Sequence, residues 1–245
     1  MNADELKALI ARHLIEFYKR RLQKIQELKL KDILRRKNPY LFKAIGTHSA
    51  TDLVEGILSA YLSSSEETIF GDAFFEPIAK FVSGGIVSPS EGVDIAIETN
   101  TTYKSISIKS GPNPFNSSQT KKQDDQFRTL MHRLQKLGKQ FDPILGHAYG
   151  RTSPQQSTKV KRIYRRLAGQ AFWKEVTGDP DFYLKLLRYM EEEIIIRHRE
   201  EYQEAWQIAV NKHVREFTQE FCDESGRIDW EKLVRFNSAE VNPRK

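Results

Sequence analysis

Residues 92–113 constrain the fold more than any other part of the chain, because they contain two short apolar runs separated by a polar interval. The runs at 93–98 and 103–109 are rich in Val, Ile and Tyr, which favour strands. The interval at 99–102 contains Asn100 and suits a tight turn. The segment therefore predicts a β-hairpin that ends in a Ser-Gly-Pro-Asn loop.

The two ends of this hairpin carry opposite charges. Asp94 lies at the start of the first strand and Lys109 at the end of the second, and these ends lie side by side in an antiparallel pair. A carboxylate there can bind Mg²⁺, which prefers one or two carboxylates with water and phosphate oxygens. The metal would polarise a phosphate, and the lysine would orient the attacking water and offset negative charge in the transition state. The alternative is an ordinary surface hairpin.

The order Asp94, then Ser107-Ile108-Lys109, resembles the PD-(D/E)XK nuclease signature. Its continuation, IKSGPN at 108–113 and NSSQ at 116–119, is similar to a group of type II restriction endonucleases. Further similar segments cover most of the chain, at 38–40, 53–55, 146–151, 169–173 and 228–233. The resemblance implies a restriction-endonuclease-like core of α/β (α+β) class, with a mixed sheet flanked by helices and a helix-rich chain overall.

The resemblance also implies Mg²⁺-dependent hydrolysis of double-stranded DNA by a homodimer, because a two-fold protein reads a palindromic site. The pattern resembles that of enzymes that cut GGNCC-like sites, which implies a site of this kind. In this interpretation Asp94 binds the metal and Lys109 positions the water. The second acid of the signature is replaced by Ser107, whose hydroxyl carries no charge to a metal. We expect Glu55, on the helix before the hairpin, to be the compensating catalytic acid and metal ligand, with Glu76 as the next candidate.

The missing acid leaves a second interpretation open. A protein of the same fold with an impaired metal site would bind DNA without cutting it. Cleavage restored by Mn²⁺ but not by Mg²⁺ would indicate a weakened metal site, and tight binding without cleavage would favour the non-enzyme.

Polar and basic stretches around the hairpin predict DNA contacts. The net charge of +6 and the pI of about 9.2 favour an anionic partner. Amides and hydroxyls suit base edges and phosphates, whereas cations suit the DNA backbone. The predicted contacts are Ser110, Asn113, Asn116, Ser117, Ser118, Gln119, Lys121, Lys122, His147, Arg151, Lys159, Lys161 and Arg162, and Arg165 and Arg166 continue the basic run. Few acids lie near these cations in sequence, so we expect their charge to be free for DNA, the alternative being a solvated polar surface.

The remaining chain predicts helices around one core. Apolar residues recur at helical spacing at 3–37, 50–62, 71–82, 117–137, 181–222 and 228–236. Residues 63–67 predict a polar loop, and further strands are expected near 144–149 and 159–165. With 245 residues we expect a single domain, 1–245, with an N-terminal helix at 1–37, a catalytic core at 50–166 and C-terminal helices at 180–236.

Composition excludes several other classes of protein. Cys222 is the only cysteine, so an intramolecular disulfide and a Cys-based zinc site are excluded. No run approaches the roughly 18 apolar residues of a membrane span. The first residues lack the basic and apolar pattern of a signal peptide. We therefore expect a cytoplasmic protein with no membrane partner.

Overall fold

The computed structural model describes residues 2–88, 90–112, 115–134, 138–151 and 162–240, and these residues include a five-stranded mixed sheet. The strands are β1 (Ile86–Val87), β2 (Ile95–Glu98), β3 (Thr102–Lys109), β4 (Gln140–His147) and β5 (Arg165–Ala168). They lie side by side in chain order, with β1, β2 and β3 antiparallel and β3, β4 and β5 parallel. The mixed sheet in a helix-rich chain confirms the predicted fold class.

The predicted hairpin forms as its local sequence indicates. β2 and β3 pair with Ile95 opposite Ile106 and Glu98 opposite Tyr103. The turn closes when the Thr99 N–H donates to the Thr102 carbonyl at 2.9 Å, and the Thr99 hydroxyl accepts from the Thr102 N–H at 2.9 Å.

The sheet brings several strand ends together at one edge. β3, β4 and β5 end at Lys109, His147 and Ala168, which lie beside one another in register. Because β2 runs antiparallel to β3, Asp94, which immediately precedes β2, lies at the same edge. We call this edge, marked by Asp94, Lys109, His147 and Ala168, the carboxyl edge. Helix α6 (Ser117–Leu134) is part of the crossover that the parallel β3–β4 pair requires.

The described residues form ten α-helices in addition to the sheet. They are α1 (Ala3–Gln26), α2 (Leu30–Leu34), α3 (Pro39–Ala44), α4 (Ala50–Phe70), α5 (Glu76–Val82), α6, α7 (Gln170–Thr177), α8 (Phe182–Arg188), α9 (Glu192–Phe221) and α10 (Trp230–Ser238), and a π-helical turn, Gly71–Phe75, joins α4 to α5. The chain divides into two compact units. The first comprises Met1–Phe17 and Thr68–Ile195, and the second comprises Tyr18–Glu67 and Ile196–Lys245. The expected single domain stays a prediction.

Each unit has its own apolar core. In the first, Phe127 and Leu130 of α6 pack on Val93 and on Leu145 of β4. On the other face of this sheet Gly146 admits the Phe172 ring, since a Cβ at Gly146 would lie 2.3 Å from a ring carbon. The core of the second unit contains Ile25, Leu28, Leu30, Ile33, Leu34, Leu53, Val54, Ile57, Leu58, Leu62, Ala209, Val210, Phe217, Phe221, Ile228 and Leu233.

The single helix predicted at 3–37 is wrong, because the chain forms α1 and α2 there. Leu28 and Leu30 are both buried, on either side of Lys29, whose backbone is extended at φ −124° and ψ 106°. Side chains two residues apart share a face of an extended chain but not of a helix. Burial of both leucines is therefore achieved by breaking the helix.

The polar loop predicted at 63–67 is also wrong, because α4 continues to Phe70. The Ser65 hydroxyl donates to the Tyr61 carbonyl one turn earlier, at 3.1 Å. Glu66 accepts from the Arg21 guanidinium at 2.8 Å and from the Tyr202 hydroxyl at 3.0 Å. These partners, distant in sequence, stabilise a helix that three serines disfavour locally.

Other predicted boundaries move by a few residues. The helix expected at 181–222 is interrupted between α8 and α9, where the Met190 N–H donates to the Leu187 carbonyl at 3.2 Å in a tightened last turn. Neither Gly nor Pro lies at this break, so no local signal in the sequence predicts it. The strand expected near 144–149 is β4. Of the strand expected near 159–165, residues 159–161 lie outside the described part of the chain, and β5 begins only at Arg165. β1 was not predicted.

Candidate active site

Asp94 is fixed at the carboxyl edge by its backbone and its side chain. Its N–H donates to the Ile106 carbonyl at 2.9 Å, and its Oδ2 accepts from the Ile108 N–H at 2.7 Å. The carboxylate thus takes the place of a backbone carbonyl at the end of the β2–β3 ladder. Within the described residues no donor reaches Oδ1, so this oxygen is available for a further ligand.

The charges near Asp94 affect its protonation in opposite directions. Burial raises the pKa of Asp94 and the hydrogen bond from Ile108 lowers it, while Glu76 raises it and Lys109 and Lys80 lower it; the net shift is upward. Glu76 and Lys80 lie one turn apart on α5 and form an ion pair of 2.5 Å. The charges of one carboxylate and two ammonium groups therefore act on Asp94.

Lys109, unlike Lys80, has no acidic partner among the residues that the structure describes. No carboxylate of the described residues forms an ion pair with the Lys109 ammonium, which lies 5.7 Å from the centroid of the Phe115 ring. A cation near the end of a strand that is not engaged by an acid is free to contact water or phosphate.

Glu76, rather than Glu55, is the acid that the first unit brings to Asp94. Its charge acts on Asp94 across 18 positions of sequence, whereas Glu55 belongs to the second unit. The role of Glu55 at a metal stays a prediction. Glu76 was predicted from the sequence only as the next candidate after Glu55, and its signal was its place on the helix predicted at 71–82, directly before the hairpin.

Ser107, at the position of the missing acid, is completely buried and bonds to α6. Its hydroxyl donates to Gln123 Oε1 at 3.1 Å, and Gln123 Nε2 donates to the Gly92 carbonyl at 2.9 Å. Gln123 was missed by the sequence analysis. The available signal was its place on the buried stripe of α6, where it precedes Phe127 by four residues.

His147 is buried beside Lys109. Its Nδ1 lies 2.7 Å from the Gly111 carbonyl, which can only accept, so Nδ1 carries the proton. Burial lowers the pKa of His147 and the bond to Gly111 raises it, while Arg166 and Lys109 lower it further; the net shift is downward. Nε2 has no hydrogen-bond partner within the described ranges. A neutral, buried ring is a poor surface contact, and the role of His147 in DNA binding stays a prediction.

The donor set at the carboxyl edge fits Mg²⁺. Among the described residues no three His, Cys, Asp or Glu side chains are grouped as metal ligands. Two carboxylates, Asp94 and Glu76, do act on one another there. Mg²⁺ is usually bound in this way, by one or two carboxylates with the other positions left to water and phosphate oxygens.

Comparison with known families agrees with this chemistry. Residues 4–197 match the family of type II restriction endonuclease EcoO109I. The chain belongs to this family. Comparison with curated proteins gave no match. The matched span includes Glu76, Asp94, Ser107, Lys109 and all five strands, and family membership makes the chain a DNA-binding hydrolase of the site-specific endonuclease class.

The polar residues that this restriction endonuclease presents after β3 form a helix cap. Asn116 Oδ1 accepts from the Gln119 N–H at 2.9 Å and from the Ser118 hydroxyl at 2.8 Å, and Gln119 Oε1 accepts from the Asn116 N–H at 3.0 Å. This reciprocal capping box explains why α6 begins at Ser117. The side chains of Asn116, Ser117, Ser118 and Gln119 are exposed, and their contacts to DNA stay predictions.

The cations at the start of α6 are partly paired. An open groove of about 440 Å³ beside the helix is lined by Lys121, Lys122, Arg133 and the acids Glu91 and Asp125, with Ser90, Ser118, Gln126, Thr129 and Leu130. The Lys122 ammonium lies 3.0 Å from a Glu91 carboxylate oxygen, and both side chains are exposed. The expectation that Lys122 has no local partner is therefore wrong, although an exposed pair of this kind contributes little stability.

The basic residues before and within β5 differ in the partners that they contact. Arg165 donates to both carboxylate oxygens of Asp142, at 2.9 and 2.7 Å, and to Glu175 at 3.2 Å. The prediction that its charge is free for DNA is therefore wrong. Arg166 donates to the Pro112 carbonyl at 2.9 Å. The other predicted contacts are placed as follows: Arg151 is exposed, Arg162 lies 5.8 Å from the Tyr164 ring centroid, Ser110 is half-buried, and Asn113, Lys159 and Lys161 lie outside the described residues.

In the described residues no helix combines enough length and enough apolar character to cross a bilayer.

Proposed function

We propose that this restriction endonuclease hydrolyses phosphodiester bonds of double-stranded DNA at a short palindromic site, with Mg²⁺ as cofactor and as a homodimer. The observation that carries the proposal is the placement of Asp94 and Lys109 together at the carboxyl edge of the sheet, with Asp94 Oδ2 bonded to the Ile108 N–H and the charge of Glu76 acting on Asp94. A phosphodiesterase needs carboxylates for a divalent cation and a cation for the water and the transition state, and this edge supplies both.

Each side chain has a definite task in this mechanism. Asp94 and Glu76 would hold Mg²⁺, which supplies Lewis-acid polarisation of the phosphate and a more acidic bound water. Asp94 is oriented for this by the Ile108 N–H, which occupies Oδ2 and leaves Oδ1 open. Lys109, which has no acidic partner among the described residues, orients the attacking water and stabilises the developing negative charge. Lys80 offsets the repulsion between the two carboxylates when no metal is bound.

The homodimer and the palindrome are linked by symmetry. Two copies related by a two-fold axis present the same side chains to two half-sites, so a palindromic sequence matches both at once. The resemblance of residues 108–119 favours GGNCC-like sites. The exposed cap of α6 follows β3 directly, which supports a role for Asn116, Ser118 and Gln119 near the bases.

A second function remains as an alternative because of Ser107. Its hydroxyl is turned to Gln123 and offers no charge to a metal, so the site has one acid fewer than the signature. A protein with such a site would bind DNA specifically and leave it intact.

Incubation of the purified protein with plasmid DNA and Mg²⁺, followed by sequencing of the ends, tests the proposal. We expect defined ends at one recurring palindrome, and none with Asp94→Ala protein from the same preparation. Cleavage with Mn²⁺ alone would indicate a weakened metal site. Specific binding with no cleavage in either metal would replace the proposed function by the alternative.

A further inference from the structure

We infer that Gln123 is a positioning residue for Asp94, holding the backbone from which the metal-binding acid projects. This inference rests on the proposed function only in treating Asp94 as that acid. Gln123 lies on α6 and reaches the carbonyl of Gly92, two residues before Asp94. Through its other amide atom it also reaches Ser107, at the position of the missing acid.

The direction of these two hydrogen bonds follows from chemistry. The Gly92 carbonyl can only accept, so the amide atom facing it must be Nε2. Oε1 then faces Ser107, and because Oε1 can only accept, the Ser107 hydroxyl must donate. Both hydrogen bonds form in only one orientation of the Gln123 amide, which makes Gln123 the donor to Gly92 and Ser107 the donor to Gln123.

The surroundings make this network rigid. Gln123 is 4% exposed and Ser107 is 0% exposed, so neither can exchange its partner for bulk water. Val93, the one residue between Gly92 and Asp94, is packed in the apolar cluster that contains Phe127 of α6. Helix α6 therefore holds the chain before Asp94 by a hydrogen bond at Gly92 and by packing at Val93.

Gly92 itself is adapted to this contact. Its φ of +75° favours glycine, and a Cβ there would lie 2.0 Å from the Oε1 atom of Gln126. The positive φ therefore favours glycine at position 92, and the amide at the end of the flexible Gln126 side chain occupies the space beside it. The polypeptide enters the site against the helix, and Gln123 supplies the bond that fixes it there.

The same geometry explains why position 107 is a serine rather than an acid. A carboxylate at position 107 would oppose Gln123 Oε1, and a flipped amide would set Oε1 against the Gly92 carbonyl. Ser107 and Gln123 are thus a matched pair, in which the acid position of the signature supports Asp94 through the helix instead of binding the metal.

Hydrogen exchange of the metal-free protein, followed by mass spectrometry, tests the positioning without any cleavage assay. In Gln123→Met we expect amides of residues 90–94 to exchange about tenfold faster or more, because their anchor is lost, while the turn at 99–102 stays unchanged. Arg128→Met is the control, since Arg128 is on the same helix and its side chain bonds to Asp124, one turn earlier on that helix, at 2.7 Å. Unchanged exchange at 90–94 in a folded Gln123→Met protein would overturn the inference.

Ser107→Ala covers the case in which Gln123→Met does not fold. It removes only the donor to Oε1 and leaves the bond from Gln123 to Gly92, so a smaller acceleration in the same segment is expected. Acceleration spread evenly over β3 and α6 would show a general packing role and would also overturn the inference.

Cleavage kinetics provide a second readout. Gln123→Met should lower kcat by about tenfold or more and raise the Mg²⁺ concentration for half-maximal rate, with KM for DNA changed by less than about threefold. A rise in KM at constant kcat would place Gln123 in DNA binding and contradict its positioning of Asp94.

Gln123→Glu separates this role from simple packing. A protonated Glu can donate to the Gly92 carbonyl and accept from Ser107, as glutamine does, whereas its carboxylate cannot donate. The kcat of Gln123→Glu relative to the wild type should therefore rise as pH falls, while that of Gln123→Met stays flat. A flat ratio for Gln123→Glu would overturn the inference. Absence of cleavage by the wild type would instead refute the proposed function, and the exchange experiment would still decide the role of Gln123.

Discussion

Lys104 and Lys109 lie on the same strand, β3, but the charged side chains at the two ends of that strand differ in whether they form ion pairs. At the first end Lys104 pairs with Glu175 at 2.5 Å, and Arg165 bridges Glu175 and Asp142. At the carboxyl edge Lys109 has no acidic partner among the described residues, and Asp94 lies near a second carboxylate, Glu76.

The two regions also differ in the direction of their pKa shifts. Burial raises the pKa of Glu175, but hydrogen bonds from Lys104 and Arg165 outweigh it and the net shift is downward. The pKa of Asp94 is raised, because burial and Glu76 outweigh its hydrogen bond and the nearby cations. Compensated charges stabilise the sheet, whereas incompletely compensated charges reduce stability and favour binding of a cation and a phosphate.

The largest expected effect contrasts the two lysines. Lys109→Ala and Asp94→Ala should each lower the cleavage rate by about 10³-fold or more while leaving specific DNA binding in the absence of Mg²⁺ intact, because both act on the transition state. Lys104→Ala, on the same strand, is the control and should cleave within about threefold of the wild type. Cleavage by Lys109→Ala within about tenfold of the wild type would remove Lys109 from the mechanism.

The next comparison is between the two candidate acids. Glu76→Gln should raise the Mg²⁺ requirement for cleavage by about tenfold or more, because it removes a carboxylate from the site, and Glu55→Gln is the paired variant. A larger change for Glu55→Gln would restore the prediction made from the sequence and would assign the second metal ligand to Glu55.

A smaller effect is expected in DNA affinity. Lys121→Ala should weaken binding on cognate and scrambled duplexes alike and lower the salt slope by about one unit, because it removes one phosphate contact. Lys122→Ala should change the slope less, since Glu91 already neutralises this lysine. Asn116→Ala should instead cost about 1–3 kcal/mol at one base pair if it reads that base. Salt titrations of the three variants measure these differences, and an unchanged slope for Lys121→Ala would identify a solvated face.

The smallest effects concern the stability of the metal-free protein, and their signs should be opposite. Glu175 has a lowered folded pKa, so its contribution is present above the usual 4.5 and is lost as pH falls through the folded pKa. Asp94 has a raised pKa in the folded state, so its ionisation destabilises the fold. This destabilisation is present above the folded pKa and is lost as pH falls to the usual pKa of 3.8.

At pH 7 Glu175→Gln should therefore lower Tm and Asp94→Asn should raise it, each by about 2–4 °C, as expected for about 1 kcal/mol in a chain of this size. Both differences should shrink toward pH 3 to 4. Thermal melts across this range check the signs, and a lower Tm for Asp94→Asn at pH 7 would show that the carboxyl edge is as well compensated as the network at Glu175.

The sequence by itself determined the hairpin, its turn and the joint presence of Asp94 and Lys109 at one edge. Strand preference, turn chemistry and antiparallel pairing act over 93–109, so a short window contains all the information that they need. The family resemblance of residues 108–119 is local in the same sense, and it was confirmed.

The tertiary structure alone decided which partner each polar group has. Glu76 acts on Asp94, Gln123 joins Ser107 to Gly92, and Arg165 is engaged by Asp142, over separations of 16 to 31 residues. The same holds for Glu66, whose partners Arg21 and Tyr202 extend α4 through a run of serines. Hydrogen bonds and ion pairs depend on distances between atoms, and packing of α5, α6 and α7 around the sheet sets those distances independently of spacing along the chain.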